Sequence, residues 1–131
     1  MKLARFAAAG ALVLTASLGL AGAANAGTSS CPSGSFCFWN LQSYSGTMGH
    51  FAGDNADWSI YKTTACTSGS WSNCAESAYN HGTQCTVYMF DATGSEAWRY
   101  GYHSLARGDS TPNMFGDYLN KVSSNRWCSP K

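Results

Sequence analysis

"WSNCAESAYNHG" (71–82) and "YLNKVSSNRWCSP" (118–130) share one skeleton. Each has an Asn, two further residues, a hydroxyl or acidic residue, a Ser, and an aromatic two or three positions on. A repeat of this kind within one short chain implies an internal duplication, and the residues around each copy show what is duplicated. Upstream of the first copy, "FWNLQSYSG" leads through a hairpin to "MGHFAG" and then to a long Ser/Thr-rich loop. Upstream of the second, "VYMFDATG" leads to "AWRYGYHSL" and then to the loop "ARGDSTPNMFGDY". Two strands, a long excursion and a Ser-bearing return strand describe a four-stranded Greek key. Two such keys packed face to face make an all-β sandwich with one shared core.

The strand assignments rest on short alternating runs bounded by Gly, Asn, Asp and Ser. "SFCFWN", "TMGHFAG", "ESAYN", "CTVYMF" and "NKVSSNRW" are expected strands. So is "EAWRYGYHS", whose period of two places Trp98, Tyr100 and Tyr102 on one face and Arg99, Gly101 and His103 on the other. Helical patterning is absent downstream of residue 26, and glycine recurs too often for long helices.

The N-terminal stretch is read separately. "MKLARFAAAGALVLTASLGLAGAANA" has Lys2 and Arg5, an apolar run, and Ala24-Asn25-Ala26 as a small-x-small cleavage pattern. This is the form of a secretory signal peptide over residues 1–26; a membrane anchor needs roughly 20 strongly apolar residues and no cleavage motif. The expected mature chain, residues 27–131, has the length of one domain, with key 1 over about 31–82 and key 2 over about 85–128.

Export sets the reading of the six cysteines, because thiols pair in an oxidising exterior. Six cysteines allow 15 connectivities. The preferred set joins Cys31 with Cys37 and Cys66 with Cys74 across short loops, and Cys85 with Cys128 across the second half. A zinc site is disfavoured: there is no CxxC pair, and His50, His81 and His103 do not stand at ligand spacing from a cysteine.

Removing Lys2 and Arg5 leaves six basic residues against seven acidic ones, so no basic face is available for nucleic acid or an anionic membrane. With charged residues at 11% and aromatics at 14%, the surface must be built from Ser, Thr, Asn and Gly, as in an extracellular β-domain. Catalytic motifs are also missing: there is no GxSxG elbow, no HExxH and no phosphate loop. Asp54 and Asp57 are paired acids in a glycine-rich loop, where such residues usually form turns. The chain is therefore expected not to be an enzyme.

At "WNLQSYSG", Trp39, Tyr44 and Gly46 match the aromatic-x4-aromatic-x-Gly hairpin of the βγ-crystallin Greek key, and Ser77 and Ser124 match the serine that ties that hairpin to the return strand. The second copy departs, with Gly94 one residue early and Thr93 in an aromatic position. The opening "CPSGSFCFW" and the mid-chain "NxxxSxYNxG" make the chain resemble, more closely, the actinomycete secreted metalloproteinase-inhibitor family, whose members have a βγ-crystallin-like fold. The resemblance implies a monomeric extracellular inhibitor of thermolysin-type metalloproteases that offers a rigid, substrate-like loop carrying a bulky apolar residue. The second half lacks the closely spaced cysteine pair that flanks such a residue in that family. Two substitutes are "CTSGSWSNC" with Trp71 and "DSTPNMFGDY" with Met114 and Phe115; the alternative for each is an ordinary loop around a buried side chain.

Two other readings follow from the same resemblance. The βγ-crystallin keys can bind calcium through a return loop, for which the candidates here are Asn73, Glu76, Asn120 and Ser123; calcium is the one cofactor expected as an option. Ser72 and Leu119 stand where an acidic or amide residue belongs, and "DNADWS" (54–59) precedes the expected loop. Killer-toxin-like relatives of the fold suggest carbohydrate or cell-wall binding, for which Trp39, Trp58, Trp71, Trp98 and Trp127 would have to lie exposed together.

Overall fold

Among the described residues seven short strands form, most of them where aliphatic and aromatic residues stand between turn clusters. They are β1 (Phe36–Trp39), β2 (Met48–Phe51), β3 (Ser77–Asn80), β4 (Val87–Phe90), β5 (His103–Leu105), β6 (Ser110–Thr111) and β7 (Ser124–Trp127). The structure, a computed structural model, describes residues 27–114 and 116–131. The expected signal peptide over residues 1–26 and the candidate Phe115 lie outside them. No helix among the described residues is long and apolar enough to cross a membrane.

The strands form two antiparallel sheets, β2-β1-β3-β6 and β5-β4-β7. In the first, Phe38 of β1 stands opposite Gly49 of β2 and Ala78 of β3. In the second, Tyr88 of β4 stands opposite Ser104 of β5 and Arg126 of β7. Each key sends part of its excursion across to the other sheet. Ser110 and Thr111, from key 2, pair with Tyr79 and Ala78 of key 1. Asn55, from key 1, bridges Asn125 of key 2, with both N–H···O bonds at 2.9 Å. This exchange of segments ties the two sheets to each other.

The core lies between the sheets. Phe36, Phe38, Trp58, Val87, Met89 and Val122 are fully buried there, and Phe38 stacks on Trp58 with centroids 4.4 Å apart. β1 is buried on both faces: Cys37 and Trp39 point away from this core into a smaller cluster with Cys31, where Tyr44 meets Trp39 edge-on at 5.4 Å. The three disulfides are Cys31–Cys37, Cys66–Cys74 and Cys85–Cys128, the pairing preferred from the sequence.

Each of the two serines bonds the chain that follows the first strand of its own key. Ser77 Oγ donates to the Leu41 carbonyl at 2.7 Å and accepts the Tyr44 N–H at 3.0 Å. Ser124 Oγ donates to the Ala92 carbonyl at 2.5 Å. Gly46 has φ 78°, and a Cβ there would sit 2.3 Å from Asn40 Oδ1, the atom that accepts the Thr47 N–H at 2.7 Å. A side chain at this position would be strained and would also break that bond.

One expected strand is corrected. In "EAWRYGYHS", Ala97–Tyr100 forms a 3-10 helix, and only His103–Leu105 is strand. The helix ends at Gly101, whose φ of 92° favours glycine and interrupts the strand alternation. Trp98, Tyr100 and Tyr102 therefore do not form one buried strand face; Tyr100 is 80% and Tyr102 47% exposed. β6 sits inside what the sequence reads as plain loop.

Candidate functional site: the 57–74 excursion of key 1

The two described candidates for a contact loop are inside the molecule. Trp71 is 7% exposed and meets Phe38 edge-on at 4.8 Å. It fits because residue 49 is glycine: a Cβ there would lie 2.7 Å from Trp71 and 2.4 Å from Phe38. Met114 is 3% exposed within the same core. Neither side chain is available to a partner, so both are corrected from contact residues to core residues. The physical reason is that a large apolar side chain in so small a domain gains more from the core than from the surface.

The chain around Trp71 nevertheless presents an apolar residue. Asp57 Oδ1 accepts the Ser59 N–H at 2.8 Å and starts the 3-10 turn Trp58–Ile60. The Ser59 hydroxyl first, and then its amide N–H, hold the Asp57 carboxyl below the ordinary aspartate range, with a smaller contribution from the Lys62 charge against a slight burial cost. Trp58 turns inward, where its indole N–H donates to Asn125 Oδ1 at 2.9 Å. The next residues are left outside, and Ile60 is 66% exposed. Its neighbours are fixed. The Tyr61 ring packs on Phe51 at 4.6 Å, its hydroxyl bonds Asn55 Oδ1, and Lys62 Nζ donates to the Ser59 carbonyl at 2.7 Å.

From Tyr61 the chain forms a small antiparallel ladder with residues 69–71. The Trp71 N–H donates to the Tyr61 carbonyl at 3.1 Å, the Thr63 N–H donates to the Gly69 carbonyl at 3.2 Å, and Lys62 stands opposite Ser70. A Gly69 N–H bond to the Cys66 carbonyl closes the turn, and Cys66–Cys74 locks its base. Asn40 Nδ2 ties the loop to the first hairpin through the Ala65 carbonyl at 2.9 Å. Ile60 was missed in the sequence because nothing in "WSIYK" says which of its apolar residues turns inward.

The calcium candidates come together as two cross-pairs between the keys. Ser123 Oγ donates to Asn73 Oδ1 and Asn120 Nδ2 donates to Glu76 Oε1, both at 3.0 Å. The main chain repeats the symmetry: the Asn73 N–H bonds the Val122 carbonyl at 3.0 Å and the Asn120 N–H bonds the Ala75 carbonyl at 3.1 Å. Both Asn residues have positive φ, 59° and 54°. A cleft of about 410 Å³ lies beside them, lined by Asn40, Asn73, Glu76 and Asn120 among others. The set has one carboxylate, and its polar groups bond one another; calcium takes six to eight oxygens. No group of three or more His, Cys, Asp or Glu among the described residues is placed to hold a metal. Asp57 caps a local turn, whereas Asp54 reaches across to β7, its Oδ1 accepting the Trp127 N–H at 2.7 Å.

The tryptophans do not form a sugar platform. Trp39, Trp58 and Trp71 are buried, and Trp98 is half-buried between Arg99 and Lys131, 5.3 and 5.1 Å from its ring.

Two antiparallel sheets with exchanged segments, paired hairpin serines and a disulfide-closed loop define a βγ-crystallin-type domain, and comparison with known proteins agrees. The fold is similar to that of a domain solved in a study of the evolution of the eye lens βγ-crystallin domain fold, with TM-score 0.59 and 14% identity over 75% of this chain and 89% of that one. It is also similar to a βγ-crystallin from Ciona intestinalis, with TM-score 0.55 and 14% identity over 72% of this chain and 99% of that one. A search of curated proteins found no significant match. The model of peptidase inhibitor family I36 matches residues 24–100, and the chain belongs to that family. It is thus a protease inhibitor rather than an enzyme, and its partner is a protease.

Proposed function

We propose that the chain is a secreted, monomeric inhibitor of extracellular metalloproteases of the thermolysin type, and that it acts through the rigid 57–74 excursion. The observation that carries this reading is the setting of Ile60. It is a bulky apolar side chain, 66% exposed, on a segment held at both ends by a side-chain cap, an aromatic contact and a disulfide. Such proteases favour a bulky apolar residue just after the scissile position, and a pre-ordered loop loses little entropy on docking. Three disulfides agree with an oxidising exterior. The test is a titration of the purified, oxidised protein against a thermolysin-type enzyme with a serine protease as control. Stoichiometric loss of the metalloprotease activity alone is the expected result; inhibition of the serine protease alone contradicts the assignment.

Exposed Tyr100 and Tyr102 favour a second reading, glycan binding by key 2. Co-sedimentation with insoluble polysaccharide that is lost in Tyr100→Ala supports it. For calcium, the single carboxylate points to weak binding at most: on this account roughly millimolar calcium leaves the Tm unchanged, and a clear rise assigns it a structural role.

A further inference from the structure

We infer that the protease is met by strand addition at the edge formed by residues 61–63, with the adjoining Ile60 filling the enzyme's apolar pocket and no peptide bond offered for cleavage; this rests on the metalloprotease reading above. The ladder sets the direction of the main chain. Tyr61 and Thr63 spend their bonds on Trp71 and Gly69, while Lys62 and Ser70 form the intervening pair. In an antiparallel ladder, the N–H and C=O of such a pair point away from the partner strand. Lys62 therefore turns its main-chain groups outward, next to an open depression lined by Lys62, Thr63, Thr64 and Gly69.

Strand addition takes its affinity from main-chain bonds and its specificity from side-chain pockets. The edge supplies the first and Ile60 the second. Among the described residues Leu41 is the other exposed large aliphatic side chain, at 49%, and its carbonyl is already taken by Ser77. Of these two, Ile60 adjoins the open edge.

The geometry also determines which half of the cleft is filled. The chain is extended at Tyr61, with φ −89° and ψ 99°, and through the Lys62–Ser70 pair before it turns at Thr64, whereas Trp58–Ile60 is a 3-10 turn anchored by the buried Trp58. The chain upstream of Ile60 curves back into the domain and cannot continue along the cleft as a strand. Only the side that receives residues after the scissile position is occupied, so the inhibitor blocks the cleft without presenting a bond to the catalytic centre.

Four variants test this against a thermolysin-type enzyme, each with its Tm measured. Ile60→Ala should weaken inhibition roughly tenfold, and Ile60→Asp by roughly a hundredfold, the range one apolar pocket contact provides. Lys62→Pro removes the outward N–H and should weaken inhibition about tenfold. Leu41→Ala, the control at an exposed aliphatic side chain away from this edge, should change it little. All four should keep the wild-type Tm within a few degrees, and the inhibitor should be recovered intact by mass spectrometry after prolonged incubation. Wild-type inhibition with full potency in Ile60→Asp and Lys62→Pro overturns the strand-addition inference alone, as does a cut at 59–60. A wild-type protein inert towards metalloproteases overturns the functional reading and this inference with it.

Discussion

The two excursions of the molecule begin from one plan and end differently. Each leaves its own key, pairs with the opposite sheet, through Asn55 on β7 or Ser110–Thr111 on β3, and returns through an Asn of positive φ, Asn73 or Asn120. In key 2 the path closes tightly, tucks Met114 into the core and ends in the 3-10 turn Gly116–Tyr118. In key 1 it sinks two indoles, Trp58 and Trp71, and between them raises a disulfide-closed ladder with Ile60 at its start. The duplication made a scaffold, and the departure from symmetry made a surface.

The largest expected effect compares the two inward anchors. Trp58→Ala removes the stack on Phe38 and the bond to Asn125, and should cost about 3–5 kcal/mol. That corresponds to a Tm fall of roughly 15–25 °C by thermal denaturation. Met114→Ala should cost about 2–3 kcal/mol, near the low end for its type. Equal losses would erase the asymmetry. Next come the short disulfides. Replacing Cys66 and Cys74 by Ser should lower stability by about 2–3 kcal/mol and weaken inhibition, whereas the same change at Cys31 and Cys37 should lower stability alone. Parallel enzyme titrations and melts separate the two.

A smaller difference is expected at the hairpin serines. Ser77→Ala breaks two hydrogen bonds and Ser124→Ala one, so denaturant unfolding should show about 2 kcal/mol against about 1. Identical values would mean that the Tyr44 N–H bond adds nothing. The smallest effect is local to the inhibitory segment. Because the Asp57 carboxyl is held low in the folded state, the Ser59 cap is present above the ordinary aspartate range and is lost as pH falls through the folded value, below about pH 4. The Ser59 amide resonance should move over that interval in the wild type and stay put in Asp57→Asn.

Much of the scaffold was legible because its determinants are local. Trp39, Tyr44 and Gly46 mark a folded hairpin within a few residues, and the spacing of Cys31 to Cys37 and of Cys66 to Cys74 permits short loops. The swapped β6 was not, since Ser110 and Thr111 carry no periodicity and are strand only because β3 offers them an edge. The 97–100 segment imitated a strand by its alternation of aromatics until Gly101 broke it. Trp71 misled for a non-local reason: its burial depends on the missing Cβ of Gly49, far away in sequence. The exposure of Ile60 follows from Trp58 and Tyr61 turning to Phe38 and Phe51, a competition among neighbours that only packing decides.

The central claim is that inhibition resides in the excursion of key 1 alone, and hydrogen exchange of the inhibitor with and without a thermolysin-type protease tests it most directly. The account predicts new protection at the amides of 60–64, Lys62 foremost, with key 2 unchanged around Tyr100, Tyr102 and residues 112–116. Protection centred on key 2, with the 60–64 amides exchanging as in the free protein, would contradict it.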